Sequence, residues 1–305
     1  MNLLDILIPL YLLITLGYIL NKYQFPNKEF WPGIEKMTYY VLFPTLIFVA
    51  LLKADVNLAL LGKVLAVISI PAVLSALLQW SGFLSPTLGR ATFSSMFQGA
   101  IRNNTMISLV IVAWLVPSNW VAIIALIILI MVQLNNLSSI FILLKYGDNN
   151  GNIAPQWWLN IIKNPLIIAC ILGLTLNALK IELAKPLINT ADFLGRSALP
   201  FALLTVGAGL KFSSLFEKKL AISLSSFAKL ILTPLASWGM CIALDADPNL
   251  TKVAIIFSAM PTAISSYILA KQMGGDADTM AQIVTVQTIL AAFTIPIFLL
   301  IAQQY

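Results

Sequence analysis

The stretch MFQGAIRNNTMISL sets Gln98, Arg102, Asn103, Asn104 and Thr105 in the middle of an otherwise apolar run. An arginine at the centre of a membrane helix costs about 2.5–3.5 kcal/mol on insertion scales, and adjacent amides add to that. Successive residues turn by about 100° around a helix, so Arg102 to Thr105 would occupy most of the circumference of an intact one. An unwound segment lining a cavity satisfies them more easily, and the spacing therefore predicts a helix break here. A second run, IIFSAMPTAISSYILA, carries Pro261 in its middle. Proline removes one backbone donor and disfavours helical geometry at Met260 before it. Thr262, Ser265 and Ser266 follow. Paired interruptions of this kind expose N–H and C=O groups that bind solutes near the membrane midplane. The candidate solute-binding residues are thus Gln98, Arg102, Asn103, Asn104, Thr105, Met260, Pro261 and Thr262. Gln133 joins them from a neighbouring run, although Gln133, Asn135 and Asn136 also suit hydrogen bonding between helices.

Lys229, in SSFAKLILTPL, is a second cation deep in an apolar run, too far from either end to reach water easily. Its expected role is that of a charge partner to carbonyls of the broken helices; a counter-ion elsewhere is the other reading. Acidic residues such as Asp5, Asp55, Asp192, Asp245 and Asp247 sit near the ends of runs, never in the middle. A cation site built on buried carboxylates therefore lacks material, whereas Arg102, Lys229 and helix N-termini favour an anion. There is no histidine, and the two cysteines, Cys170 and Cys241, stand alone in apolar runs as small core residues. No metal site and no cofactor is expected.

The elements that must position these residues follow from composition. Hydrophobic residues make up 60% and charged residues 10% of the 305, with a mean hydropathy of +0.93, far from the roughly 25% charge of soluble domains. Apolar runs bounded by charge, Pro and Gly predict ten spans: 3–21, 34–52, 58–83, 92–116, 120–144, 162–179, 187–210, 220–244, 252–272 and 281–302. In lipid these must be helices. The first run lacks a basic leader and a cleavage site, so it is expected to be retained. The formal charge of +6 is scattered over short loops, without the basic run and interleaved aromatics of a nucleic-acid binder.

The longest polar joint, Lys145 to Gln156, divides the chain into halves, 1–150 and 151–305, that match at a fixed offset of 156. ILIPLYLLITLGYILN and IKNPLIIACILGLTLN agree at seven of sixteen positions, among them Pro9/Pro165, Gly17/Gly173 and Asn21/Asn177. The same offset lays Pro44 on Pro200, Lys63 on Lys219, and Arg102–Thr105 on Ser258–Pro261. Five spans per copy make the repeats inverted about an axis in the membrane plane, with the broken spans four and nine crossing. Pro44, Pro200 and Pro261 are the expected hinges or helix breaks, whereas Pro71, Pro234 and Pro296 are expected only to bend their helices. With both termini outside, ten Lys or Arg lie on the inner side and six on the outer, as the positive-inside rule prefers.

At GIEKMTYYVLFPTLIF, RNNTMISL, KNPLIIACILGLTLN, SALPFALLTVGAGL and KVAIIFSAMPTAISSYILAKQMGGDAD the chain resembles the auxin efflux carrier family, which includes bacterial organic-acid permeases and the plant PIN-type carriers. The resemblance runs over nearly the whole length. It implies an all-α integral membrane fold of ten helices with spans four and nine crossing, related to bile acid symporters and sodium/proton antiporters. It also implies a scaffold of spans 1, 2, 6 and 7 and a mobile transport part from spans 3–5 and 8–10. Asn104 and Thr105 match the family's Asn-Thr, Pro261 its span-nine proline and Gln133 a glutamine of span five. The family's Gly-x-Pro after Asn-Thr is replaced here by Ser108-Leu109-Val110, and Arg102 and Asn103 fall outside the general pattern.

The expectation is a multi-pass carrier in the plasma or bacterial inner membrane. It would move a small organic anion, auxin-like or a mono- or dicarboxylate, by alternating access. Its partners would be that anion and the lipid bilayer, with a homodimer through the scaffold helices as one option. A cation antiporter or symporter on the same fold is the rival within transport. A non-transporting membrane sensor, or an intramembrane enzyme with Lys229 beside Ser225 or Ser226, are rivals of other classes.

Overall fold

The computed structural model describes residues 3–27, 29–52, 58–83, 88–116, 118–148, 165–210 and 218–305, and among them every regular element is helical. The central joint beyond Asp148, Asp55, and the inner-side Lys163 and Lys211 lie outside the described residues. In chain order the helices are α1 (Leu3–Lys22), α2 (Phe30–Met37), α3 (Phe43–Leu52), α4 (Leu58–Phe83), α5 (Arg90–Ile101), α6 (Thr105–Leu115) and α7 (Ser118–Tyr146). They continue with α8 (Pro165–Ala178), α9 (Lys185–Ala208), α10 (Lys219–Phe227), α11 (Thr233–Ala243), α12 (Pro248–Ser258), α13 (Ser265–Gln272) and α14 (Ala277–Ala302).

Four stretches among the described residues are long and apolar enough to cross a bilayer: Phe30–Leu52, Gly62–Gln79, Lys219–Ala243 and Ala277–Ala302. The distribution of side chains fits an apolar solvent. Leu12, Leu77, Phe141, Phe193 and Phe293 lie exposed on helix faces, while Gln79, Gln98, Thr262, Thr285 and Gln287 are buried. Water would penalise such an outer face; lipid does not.

Two units make up the chain, and each draws on both halves of the sequence. The first comprises Met1–Leu58, Leu109–Leu129 and Pro155–Gly209. Within it α1 packs on α9, and α3 on α8 and α9. Glycines set these approaches: a Cβ on Gly17 would fall 2.0 Å from the Leu204 carbonyl oxygen, and one on Gly173 3.1 Å from that of Phe48. Asn21 Nδ2 donates to the Ala208 carbonyl at 2.7 Å, closing the end of α9. Asn177 Nδ2 does the same for α3, donating to Leu51 and Leu52 at 2.8 and 3.0 Å. The glycines, the asparagines and their partners Phe48/Leu204 and Leu52/Ala208 are all related by the offset of 156.

The second unit comprises Ala59–Ser108, Ile130–Ala154 and Leu210–Tyr305. Its α5 packs between α10 and α14, and α12 lies against α11 and α14. One end is tied by Asp276, which caps α14 by accepting from the Thr279 amide at 2.9 Å and its hydroxyl at 2.6 Å. Asp276 Oδ2 also accepts from Thr92 Oγ1 at 2.7 Å, and the Asp276 carbonyl accepts from Ser95 Oγ at 2.8 Å, joining α14 to the start of α5. Burial is the largest influence on this carboxyl and pushes its pKa up. The Thr279 and Thr92 hydrogen bonds and the charge of Lys218 outweigh it, and hold the group below its ordinary range.

At two of the expected hinges or breaks the helix runs on. Pro200 sits inside α9, which runs through it. Pro44 follows a π-helical turn at Thr38–Leu42 that carries α2 into α3, so the wider turn absorbs the missing donor without interrupting the span. A second π turn, Ala228–Leu232, joins α10 to α11 ahead of Pro234. The carbonyl of Ala228 within it accepts from Thr233 Oγ1 at 2.7 Å and Ser75 Oγ at 3.2 Å.

Candidate functional site

The run from Arg90 to Leu115 stops being helical at Arg102, Asn103 and Asn104, between α5 and α6. Arg102 turns to an extended conformation, with φ −78° and ψ 136°. Asn104 then starts α6 by accepting from the Ile107 amide on Oδ1 at 3.2 Å. Thr105 is the first residue of α6. The polar residues thus supply the caps that an interrupted helix needs. The second run breaks between Ser258 and Ser265, across Met260, Pro261 and Thr262, all buried.

The two breaks meet. The Asn104 amide donates to the Pro261 carbonyl at 2.7 Å. Asn103 Nδ2 donates to the Phe257 carbonyl at 3.3 Å, at the C-terminal end of α12. Arg102 reaches the other side of the second break, donating from its guanidinium to Ser265 Oγ at 3.0 Å, and is only 8% exposed. Lys229, on the π turn and 1% exposed, donates to Asn103 Oδ1 and to the Ser258 carbonyl, the latter at 3.5 Å. Ser225, considered above as its nucleophilic partner, spends its hydroxyl on the carbonyls of Ala221 and Ile222 in its own helix.

A residue that sequence reasoning missed completes the junction. Gln287 on α14 is fully buried, accepts from the Thr262 amide at 3.0 Å and donates to the Gly99 carbonyl at 2.9 Å. One side-chain amide therefore holds the end of α5 and the second break together. The only signal was an uncharged amide in the first third of span ten.

The placement of Gln133 differs from the rest of the set. It lies partly buried on α7, its Nε2 has no hydrogen-bond partner among the described residues, and no hydrogen bond among them joins it to the breaks. Several buried polar atoms close to the breaks in sequence also lack a partner among the described residues. They are Nε2 and Oε1 of Gln98, Oγ of Ser108, Ser258 and Ser266, and Oγ1 of Thr262. No group of His, Cys, Asp or Glu suited to a metal ion occurs among the described residues.

The charge pattern is uneven. Helix ends carry partial charges, negative at the C-terminus and positive at the N-terminus. Lys229 and Asn103 attend the C-terminal end of α12, which suits a cation. Arg102 stands instead at the N-terminal end of α13, where its charge and the helix end have the same sign.

Comparison with known proteins places residues 149–299 in match with a family described as "Membrane transport protein". A protein of Rhizobium meliloti (strain 1021) bearing the name "Putative malonate transporter" is 25% identical over 134 residues. That alignment spans 43% of this chain and 42% of the relative.

Proposed function

We propose, from the match of residues 149–299 to the membrane transport protein family, that the chain is a secondary carrier for a small organic anion. The anion would bind where the two broken helices meet. One observation carries this reading: Arg102 and the N-terminal end of α13 converge beside buried hydroxyl and amide groups that have no partner among the described residues. Each such group costs about 1–3 kcal/mol when left unpaired. A carboxylate accepting from the Thr262 hydroxyl, with Arg102 as a second donor, would offset that cost. The name of the Rhizobium relative makes a short dicarboxylate the first candidate.

In this reading the chain is two inverted five-helix repeats, and the matching contacts of Gly17/Gly173 and Asn21/Asn177 support that division. Helices of spans 1, 2, 6 and 7 serve as scaffold, and the part bearing the breaks moves between the two sides. Both termini lie outside. The driving force is either the membrane potential or a proton carried on the substrate's own carboxyl.

The test is uptake of mono- and dicarboxylates by proteoliposomes holding wild type, Arg102→Ala or Asn104→Ala. Both variants should insert and lose transport. Wild-type rates in both would remove the proposed site.

A further inference from the structure

Two oxygens face Lys229. Its ammonium faces Asn103 Oδ1 from the first break and the Ser258 carbonyl from the end of α12. The α12 end contributes the negative pole of its helix, and the Asn103 side chain is itself held there through the Phe257 carbonyl. No carboxylate forms an ion pair with Lys229 among the described residues. Carbonyl and amide oxygens gathered at a helix C-terminus are the donor set that unwound membrane helices offer to a monovalent metal cation. Here a side chain brings the positive charge. The π turn at Ala228–Leu232 carries Lys229 into this position, and such turns concentrate at functional sites.

We propose that the Lys229 ammonium is a resident cation, standing where a coupling sodium ion would otherwise bind, and that anion transport by this chain needs no metal cation. Removing the ammonium should leave an oxygen-lined site that takes sodium in its place. The part concerning transport rests on the carrier function proposed above. The part concerning stability does not, so the two fail separately.

Thermal unfolding of the purified protein is compared in sodium, potassium and choline chloride of equal concentration. Wild type should melt at the same temperature in all three, and its dicarboxylate uptake should be unchanged by the swap. Lys229→Ala should melt lower in choline and rise by about 3 °C in sodium, since a ligand of the folded state stabilises by mass action. Ethylammonium chloride, which restores the missing group, should raise it too. If Lys229→Ala yields no folded protein, Lys229→Met, which keeps most of the stem, goes through the same comparison. Sodium dependence in wild type would overturn the proposal. So would folded variants that melt alike in sodium, choline and ethylammonium.

Discussion

The backbone amide of Asn104 donates to the carbonyl of Pro261 at 2.7 Å. A break in one helix is thereby closed by a group released from the break in another, 157 residues along the chain. The side chains around the junction decide what else can bind there.

Arg102→Lys should keep the positive charge but lose the planar fork that can hold Ser265 and a carboxylate together. The KM for a transported anion is expected to rise by about tenfold, in line with the strength of a charge-assisted hydrogen bond. The rate at saturation should change little. Initial-rate uptake against anion concentration checks this.

Gln287→Leu should leave the Thr262 amide and the Gly99 carbonyl buried without their partner, at a cost of about 2–4 kcal/mol. Gln287→Glu, held as the neutral acid in so buried a place, keeps an acceptor for Thr262 and an O–H donor for Gly99, so its loss should be smaller. Thermal unfolding ranks wild type, Glu and Leu in that order.

Part of this arrangement was legible in the sequence. Arg102 to Thr105 announced a break because an unwound segment satisfies four consecutive residues of that kind more easily than an intact helix in lipid, and Pro261 announced the other. Gln287 gave no such sign, since one glutamine in an apolar span also fits ordinary hydrogen bonding between helices. Pro44 and Pro200 interrupt no helix, for the opposite reason. A proline marks a lost hydrogen bond, yet α9 tolerates it and the turn at Thr38–Leu42 widens around it. The π turn beneath Lys229 depends on tertiary neighbours such as Ser75, which local sequence does not name.

Asp276→Ala should remove the cap of α14 and its tie to Thr92, costing about 1–2 kcal/mol near neutral pH. Because the folded protein holds this carboxyl below its ordinary range, its contribution is complete above about pH 4, the unfolded value. It is lost as pH falls further, through the folded value. Wild type and variant should converge in stability on acidification, as unfolding followed from pH 7 to pH 3 would reveal.

Gly17→Ala would bring a methyl group to 2.0 Å from the Leu204 carbonyl oxygen and should destabilise by about 2–3 kcal/mol. Gly239→Ala, in α11 with nothing within 4 Å of the new methyl, should be neutral or stabilise by up to about 1 kcal/mol. Melting temperatures of the two variants should move in opposite directions.

Calorimetric titration of the detergent-purified protein with malonate, comparing wild type and Arg102→Gln, bears most directly on an anion site at the meeting of the two breaks. Saturable one-site binding to wild type, weakened about tenfold or more in a variant that melts like wild type, is the expected result. Equal affinity in both proteins would contradict it.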